Sequence, residues 1–186
     1  MRREELYHAL RCAAEVSGHT EFVVIGSQAT HGTIQNATID AVVRSPDVDL
    51  YLKESHGPAI WEALMRELGQ DSEFHIETGT YIEVVSETLA RFPDGWEARA
   101  KRICIGETVV HQNRVPVVAY FPEIHDLAVA KLAVHREKDV EFVTDLVMLD
   151  AVERETLIER FTRVPRTDQA IIANGLNDIE KAFARR

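Results

Sequence analysis

From Glu4 to Val16, apolar residues recur at helical spacing. Leu6, Ala9, Leu10, Ala13 and Ala14 share one face, and Ser17-Gly18-His19 ends the run. Phe22-Val23-Val24-Ile25 reads as a short buried strand closed by Gly26-Ser27, and a helix is expected to start at Ser27 and run through Gln28-Ala29-Thr30-His31. Residues 35–46 read as a loop, with Asn36 and Pro46 as breakers. Asp47–Leu52 alternates: Val48, Leu50 and Leu52 point to a core, while Asp47, Asp49 and Tyr51 point the other way. Gly57-Pro58 opens a helix to about Leu68, with Ile60, Trp61, Leu64 and Leu68 on one face and Pro58 in the first turn. Phe74-His75-Ile76-Glu77 and Tyr81–Val85 read as two strands of a hairpin around Thr78-Gly79-Thr80. Val109-Val110 and Val115–Phe121 add strand character. After Pro122 the period turns helical over about 123–136, 139–151, 153–163 and 168–184.

Mixed strands and helices followed by helices alone predict an α+β fold, a small mixed β-sheet flanked by helices with a C-terminal helical cluster. Residues 1–121 form the expected α/β core and 122–186 a helical part packed on it, as one compact unit. With 186 residues and 45% hydrophobic content, the chain can bury a core without metal or disulfide staples. Cys12 and Cys104 lie far apart among apolar neighbours and are expected to be two buried thiols in a reducing cytosol. Met1-Arg2-Arg3-Glu4-Glu5 leads into an amphipathic segment rather than an apolar one. No apolar run approaches the ~20 residues of a membrane span. A cytoplasmic protein without membrane association is the expectation.

Net charge is −10, which disfavours nucleic-acid binding by bulk electrostatics. The charge is uneven. Residues 1–96 carry 7 Lys+Arg against 16 Asp+Glu, and residues 97–186 carry 14 against 15. A polyanionic partner would therefore favour the second half.

The chemistry concentrates where the acid does. A strand breaking into a helix at Gly26-Ser27 presents backbone N–H groups to an anion. Asp47-Val48-Asp49 on a strand sends both carboxylates to one face, roughly 6–7 Å apart by the strand rise, a spacing that suits divalent cations. Gly-Ser alone is an ordinary capped turn, and Asp-x-Asp alone an exposed strand edge. In this order, each makes the other more specific.

A Gly-Ser at a strand end followed by Asp-x-Asp on the next strand resembles the nucleotidyltransferase superfamily of polymerase β-like and minimal nucleotidyltransferase domains. The long spacing from Ser27 to Asp47, with Arg44-Ser45 before the carboxylates, is most similar to the toxin component of AbiE-type toxin–antitoxin systems. Tyr81-Ile82-Glu83-Val84, Phe92-Pro93-Asp94-Gly95-Trp96-Glu97-x-Arg99 and Asp126–Leu132 with Arg136–Asp139 extend the likeness to related small uncharacterised proteins, over about residues 20–145. The resemblance implies that Gly26 and Ser27 hold a terminal phosphate, helped by the dipole of the following helix. It implies that Asp47 and Asp49 bind Mg²⁺, as one or two ions that Mn²⁺ can replace. A third carboxylate would complete the site: Glu83 is favoured, with Glu77 the rival. Lys131 would neutralise triphosphate charge and Asp139 would position it. Lys131 and Lys138, seven apart, would share a helix face. Arg44 would contact phosphate or brace Asp47. The implied activity is metal-dependent transfer of a nucleoside monophosphate from an NTP to an RNA, protein or small-molecule acceptor, in a toxin–antitoxin pair with an antitoxin protein as partner.

The bland alternatives are a solvated helix face with i,i+4 ion pairs around Asp126 and Lys131, and solvent-facing positions for Glu83 and Glu77. The eight histidines have no metal-ligand spacing and read as structural or surface residues, with His31 nearest the phosphate turn. Trp61 and Trp96 read as packing residues, the latter anchoring the Phe92–Trp96 turn. A haloacid-dehalogenase-like phosphatase needs an apolar strand before its first Asp, whereas Arg44-Ser45-Pro46 precedes Asp47. A nucleotide-sugar glycosyltransferase needs a larger domain. The remaining competitor is an inactive nucleotidyltransferase-fold module that binds nucleotide or a protein partner.

Overall fold

A computed structural model of the chain describes residues 1–34, 42, 44–53, 57–86, 91–165 and 167–186. The first helix, α1, spans Arg3–Ser17 and buries the expected stripe of Leu6, Ala9, Leu10, Ala13 and Ala14. Glu4 and Glu5 favour its positive end, and left-handed Gly18 closes it by donating to the Ala14 carbonyl at 2.9 Å. Strand β1 (Glu21–Val24) leads into a 3-10 helix over Ser27–Gly32. Strand β2 occupies Asp47–Leu52, and helix α2 (Pro58–Leu68) starts on its proline as expected. A short α3 (Glu73–Thr78) precedes β3 (Tyr81–Val84), and a single turn, α4 (Trp96–Arg99), precedes the long hairpin of β4 (Lys101–Val110) and β5 (Asn113–Phe121). Helices α5 (Ile124–Val134), α6 (Glu137–Met148), α7 (Arg154–Phe161) and α8 (Gln169–Ala184) complete the chain.

The strands form one mixed sheet in the order β3-β2-β1-β5-β4. β1 runs antiparallel to β2 and parallel to β5, β2 runs parallel to β3, and β4 and β5 form an antiparallel hairpin. One face carries Phe22, Val24, Val48, Leu50, Ile82 and Val84 into the main core, which continues through α1 and α2 to Ala182 of α8. The other face carries Val23, Ile25 and Tyr51 into a smaller cluster with Phe92, Trp96 and Ala130. Tyr51 thus points away from the main core, as the alternation predicts, yet it is buried too. Helix α5 is apolar nearly all round, as a helix packed between layers must be. Among the described residues no helix is long and apolar enough to cross a membrane.

Several expectations change. Phe74–Glu77 is not a strand but lies within α3, because Ser72 caps the helix by accepting from the His75 N–H at 3.2 Å and left-handed Gly79 ends it. The hairpin glycine is therefore a helix C-cap. The helix after Ser27 is a six-residue 3-10 segment, too short to sum the peptide dipoles invoked for phosphate binding. Most of the 35–46 loop, including Asn36, lies outside the described residues, and Val42 and Arg44 are helical. Lys131 and Lys138 do not share a helix face, since left-handed His135 ends α5 between them. Cys12 is half-buried and Cys104 exposed, the latter next to the bulge between Cys104 and Gly106 on the outer strand.

Candidate functional site

The carboxylates meet because of strand register. In the parallel β2–β3 pair, Asp47 lies opposite Tyr81 and Asp49 opposite Glu83, so all four side chains leave the same face of the sheet. Carboxylate oxygens of Asp47, Asp49 and Glu83 lie within 4.8 Å of one another, closer than the strand rise alone would put Asp47 and Asp49. Glu77, on exposed α3, is not in this group. The Ser45 hydroxyl donates to Asp47 Oδ1.

The Gly-Ser turn is fitted to Asp49. Ile25 N–H donates to the Asp49 carbonyl at 2.8 Å, which fixes the end of β1 against β2. Gly26 adopts φ 66° and ψ −161°, a conformation essentially confined to glycine. A Cβ on Gly26 would sit 2.0 Å from Asp49 Oδ2. Ser27 follows at once and is nearly buried.

Crowding has an electrostatic consequence. Burial, then the charges of Asp47 and Glu83, push the Asp49 carboxyl up to about 6, against the pull of Lys131 and Lys138. Burial and the same carboxylates also raise the Tyr81 phenol. Three convergent carboxylates are a hard, oxygen-only donor set, which fits a divalent cation such as Mg²⁺ and does not fit a soft metal.

Cations face them across a cleft of about 710 Å³. Gly26, Ser27, Arg44, Asp47, Asp49, Glu83, Lys131 and Asp139, the complete set expected from sequence, all line it. The Asp139 side chain is fully buried. It accepts from Arg136 at 2.7 and 3.2 Å and pairs with Lys131 Nζ at 3.3 Å. Burial would raise its carboxyl, but the Arg136 hydrogen bonds and the Lys131 charge outweigh this and hold it below the usual range. Asp139 thus joins α6 to α5 and holds two cations at one wall. Asp139→Asn is expected to cost about 1–3 kcal/mol, read as a lowered urea midpoint, because Lys131, mostly buried, loses its charged hydrogen-bond partner.

Sequence reasoning did not mention Arg91 and gave no role to Arg136, which it quoted only as the start of the Arg136–Asp139 segment; both line the cleft. Arg91 carries no local signal. Arg136 carries one: it stands three residues before Asp139 and is the N-cap of α6.

Behind the cleft, Asp126 is not on a solvated helix face but fully buried. It accepts from Arg99 at 2.8 and 3.1 Å and from Arg160 at 2.9 Å. Arg160 also donates to Glu123, which bonds His125 at 2.8 Å. Burial opposes ionisation of Glu123, yet His125 and Arg160 hold its carboxyl down at about 2. This network ties the Phe92–Arg99 segment and α7 to α5. Phe92, which lines the cleft, packs against Trp96 behind it with 4.6 Å between ring centroids, so Trp96 packs as expected. Trp61 is 44% exposed, with its indole N–H donating to the Val84 carbonyl at 3.3 Å. His31 bonds the Met1 carbonyl at 3.1 Å rather than lining the cleft.

A mixed sheet with carboxylates on adjacent strands, a strand-to-Gly-Ser turn beside them and cations opposite is the arrangement of a nucleotidyltransferase-type protein. Residues 4–177 match the model of a family described as nucleotidyltransferase of unknown function (DUF6036), and the chain belongs to that family. No curated protein and no solved structure matches it.

Proposed function

We propose that the protein is a Mg²⁺-dependent nucleotidyltransferase that moves a nucleoside monophosphate from an NTP to a hydroxyl acceptor on an RNA, a protein or a small molecule. The observation that carries this reading is the convergence of Asp47, Asp49 and Glu83 opposite Lys131 and Arg136. Asp47, Asp49 and Glu83 would hold one or two divalent ions, for which Mn²⁺ can substitute. When bound, such an ion neutralises triphosphate charge and polarises the reacting phosphorus. Lys131, Arg136 and Arg44 would bind the non-reacting phosphates, with the Gly26-Ser27 turn against the terminal one. Asp139 would hold Lys131 and Arg136 in place before substrate arrives, so that less ordering is needed on binding. The acceptor oxygen forms its bond to the α-phosphorus as the α–β bridging bond breaks and pyrophosphate leaves. The acceptor proton would pass to a carboxylate; exposure of Glu83, the one exposed member of the three, supports it in that role.

The spacing of Gly26-Ser27 and Asp47-x-Asp49, with Arg44-Ser45 between, supports a relation to AbiE-type toxins. On that reading the protein is a cytoplasmic toxin restrained by an antitoxin partner. The inactive-module alternative would be favoured if Glu83 and Glu77 both pointed away from Asp47 and Asp49; the grouping of Glu83 with them supports the active reading over it.

The test is transfer of label from each NTP, radiolabelled at the α-phosphorus, into total cellular RNA and protein with Mg²⁺, comparing the protein with its Asp49→Asn variant. Label appearing with the unsubstituted protein alone is expected. Equal label in both would overturn the site.

A further inference from the structure

Gln28 is fully buried, immediately follows Ser27 in the chain, and sits at the start of the 3-10 helix. Its amide nitrogen donates to two carbonyls, Val42 O and Ser45 O, each at 3.0 Å. Both neighbours are acceptors only, so the amide orientation is settled by chemistry and both N–H bonds are used. The amide oxygen has no partner among the described residues. An apolar side chain of the same size would avoid burying that oxygen, so packing alone does not explain a glutamine here.

What the two bonds do explain is the position of Asp47. Val42 and Ser45 bracket the segment that delivers Arg44 to the cleft and enters β2. Ser45 then donates its own hydroxyl to Asp47 Oδ1. The chain of contacts runs Gln28 amide, Ser45 backbone, Ser45 hydroxyl, Asp47 carboxylate. It links the Gly-Ser turn to the first residue of β2 by a route separate from the Ile25–Asp49 backbone bond two residues further along the strand. One side chain thereby adds a second tie between the Gly-Ser turn and the segment entering β2, 17 residues apart in sequence.

We infer that Gln28 is a positioning residue: through Ser45 it presets Asp47, and so sets the affinity of the three-carboxylate site for a divalent cation. This inference rests on the metal-binding reading above. With Gln28 in place, Asp47 is aimed before the ion arrives, and binding does not have to order it.

The experiment measures Mn²⁺ affinity by titration calorimetry for the full chain, Gln28→Leu, Ser45→Ala, Asp47→Asn and the double variant Gln28→Leu/Asp47→Asn. Hydrogen exchange of the 42–50 backbone is followed alongside. Gln28→Leu is expected to weaken Mn²⁺ binding about tenfold, within the range for removing a residue that supports a metal ligand. It should also speed exchange over residues 42–47. The loss should vanish in the Asp47→Asn background, because the effect travels through that carboxylate. A merely structural role would weaken both backgrounds alike and would overturn the inference. Ser45→Ala removes one surface-accessible hydroxyl and should fold even if Gln28→Leu does not. It is expected to weaken Mn²⁺ binding similarly, and unchanged affinity would overturn the inference. If the unsubstituted protein binds no Mn²⁺, the metal reading fails and this inference falls with it. If it binds while Gln28→Leu binds equally well, only the role of Gln28 fails.

Discussion

Replacing Asp49 with Asn is expected to abolish Mg²⁺-dependent transfer, by at least about 10³-fold, while making the metal-free protein more stable at neutral pH. Both effects come from one fact: Asp49 ionises in a partly buried place beside two other carboxylates. Its folded-state carboxyl stands at about 6, above the ordinary value of 3.8 that the unfolded chain keeps. The folded state therefore holds the proton more tightly than the unfolded one. Between about pH 4 and pH 6 the proton is lost at the expense of the folded state, so metal-free stability falls as pH rises through this window. Above it the full penalty remains, about 3 kcal/mol at most before solvent screening of the exposed part of the group. Asn carries no charge at any of these pH values. Thermal melts in EDTA should show the unsubstituted protein losing stability from pH 4 to 6 and the variant lacking that slope, with its Tm at pH 7.5 higher by several degrees. Adding Mg²⁺ should reverse the order, raising Tm for the unsubstituted protein and not for Asp49→Asn. Identical melts in EDTA would mean that Asp49 is not strained by its neighbours.

Gly26→Ala should damage both the fold and the site through one methyl group. The backbone there, φ 66° and ψ −161°, disfavours any side chain, at about 1–3 kcal/mol. The new Cβ would also lie 2.0 Å from Asp49 Oδ2, so the carboxylate must leave the position it shares with Asp47 and Glu83. Overpacking of this kind adds about 1–3 kcal/mol. The expected outcome is a loss of about 2–6 kcal/mol by urea unfolding and transfer at background level. Pairing it with Asp49→Ala separates the two causes. Removing the carboxylate relieves the contact but not the backbone strain, so the double variant should be more stable than the sum of the two single changes predicts. Strict additivity would show that Asp49 does not press on Gly26.

Legibility from the sequence followed the range of the interaction involved. The strand of Asp47–Leu52, the helices after Pro122 and the Pro58 helix start are all local patterns, visible as period two, period 3.6 or a proline. Where two local signals competed, the reading failed. Phe74 and Ile76 alternate like a strand, but Ser72 and Gly79 are a helix cap pair, and the caps prevailed because they satisfy backbone groups that a two-residue apolar alternation does not. Tyr81–Val84 survived without its supposed hairpin partner because it pairs with β2 instead. The buried Asp126 was misread for the reason that long-range ion pairs always are: Arg99 and Arg160 stand 27 and 34 residues away, on other elements, and no spacing rule connects them.

By itself, then, the sequence determined the strand, the Gly-Ser turn, the Asp-x-Asp pair and the small set of residues from which the rest of the site had to come. These depend on backbone alternation and turn chemistry, which neighbouring residues decide among themselves. Only the tertiary structure put Glu83 rather than Glu77 beside Asp47 and Asp49, since that depends on which strand lies beside β2 and in what register. It also brought Lys131, Arg136 and Asp139 together across a helix break, and set Asp49 against a glycine that has no side chain to hold it off. Such contacts arise when non-local elements pack, and a chain read residue by residue contains no measure of the distance between them.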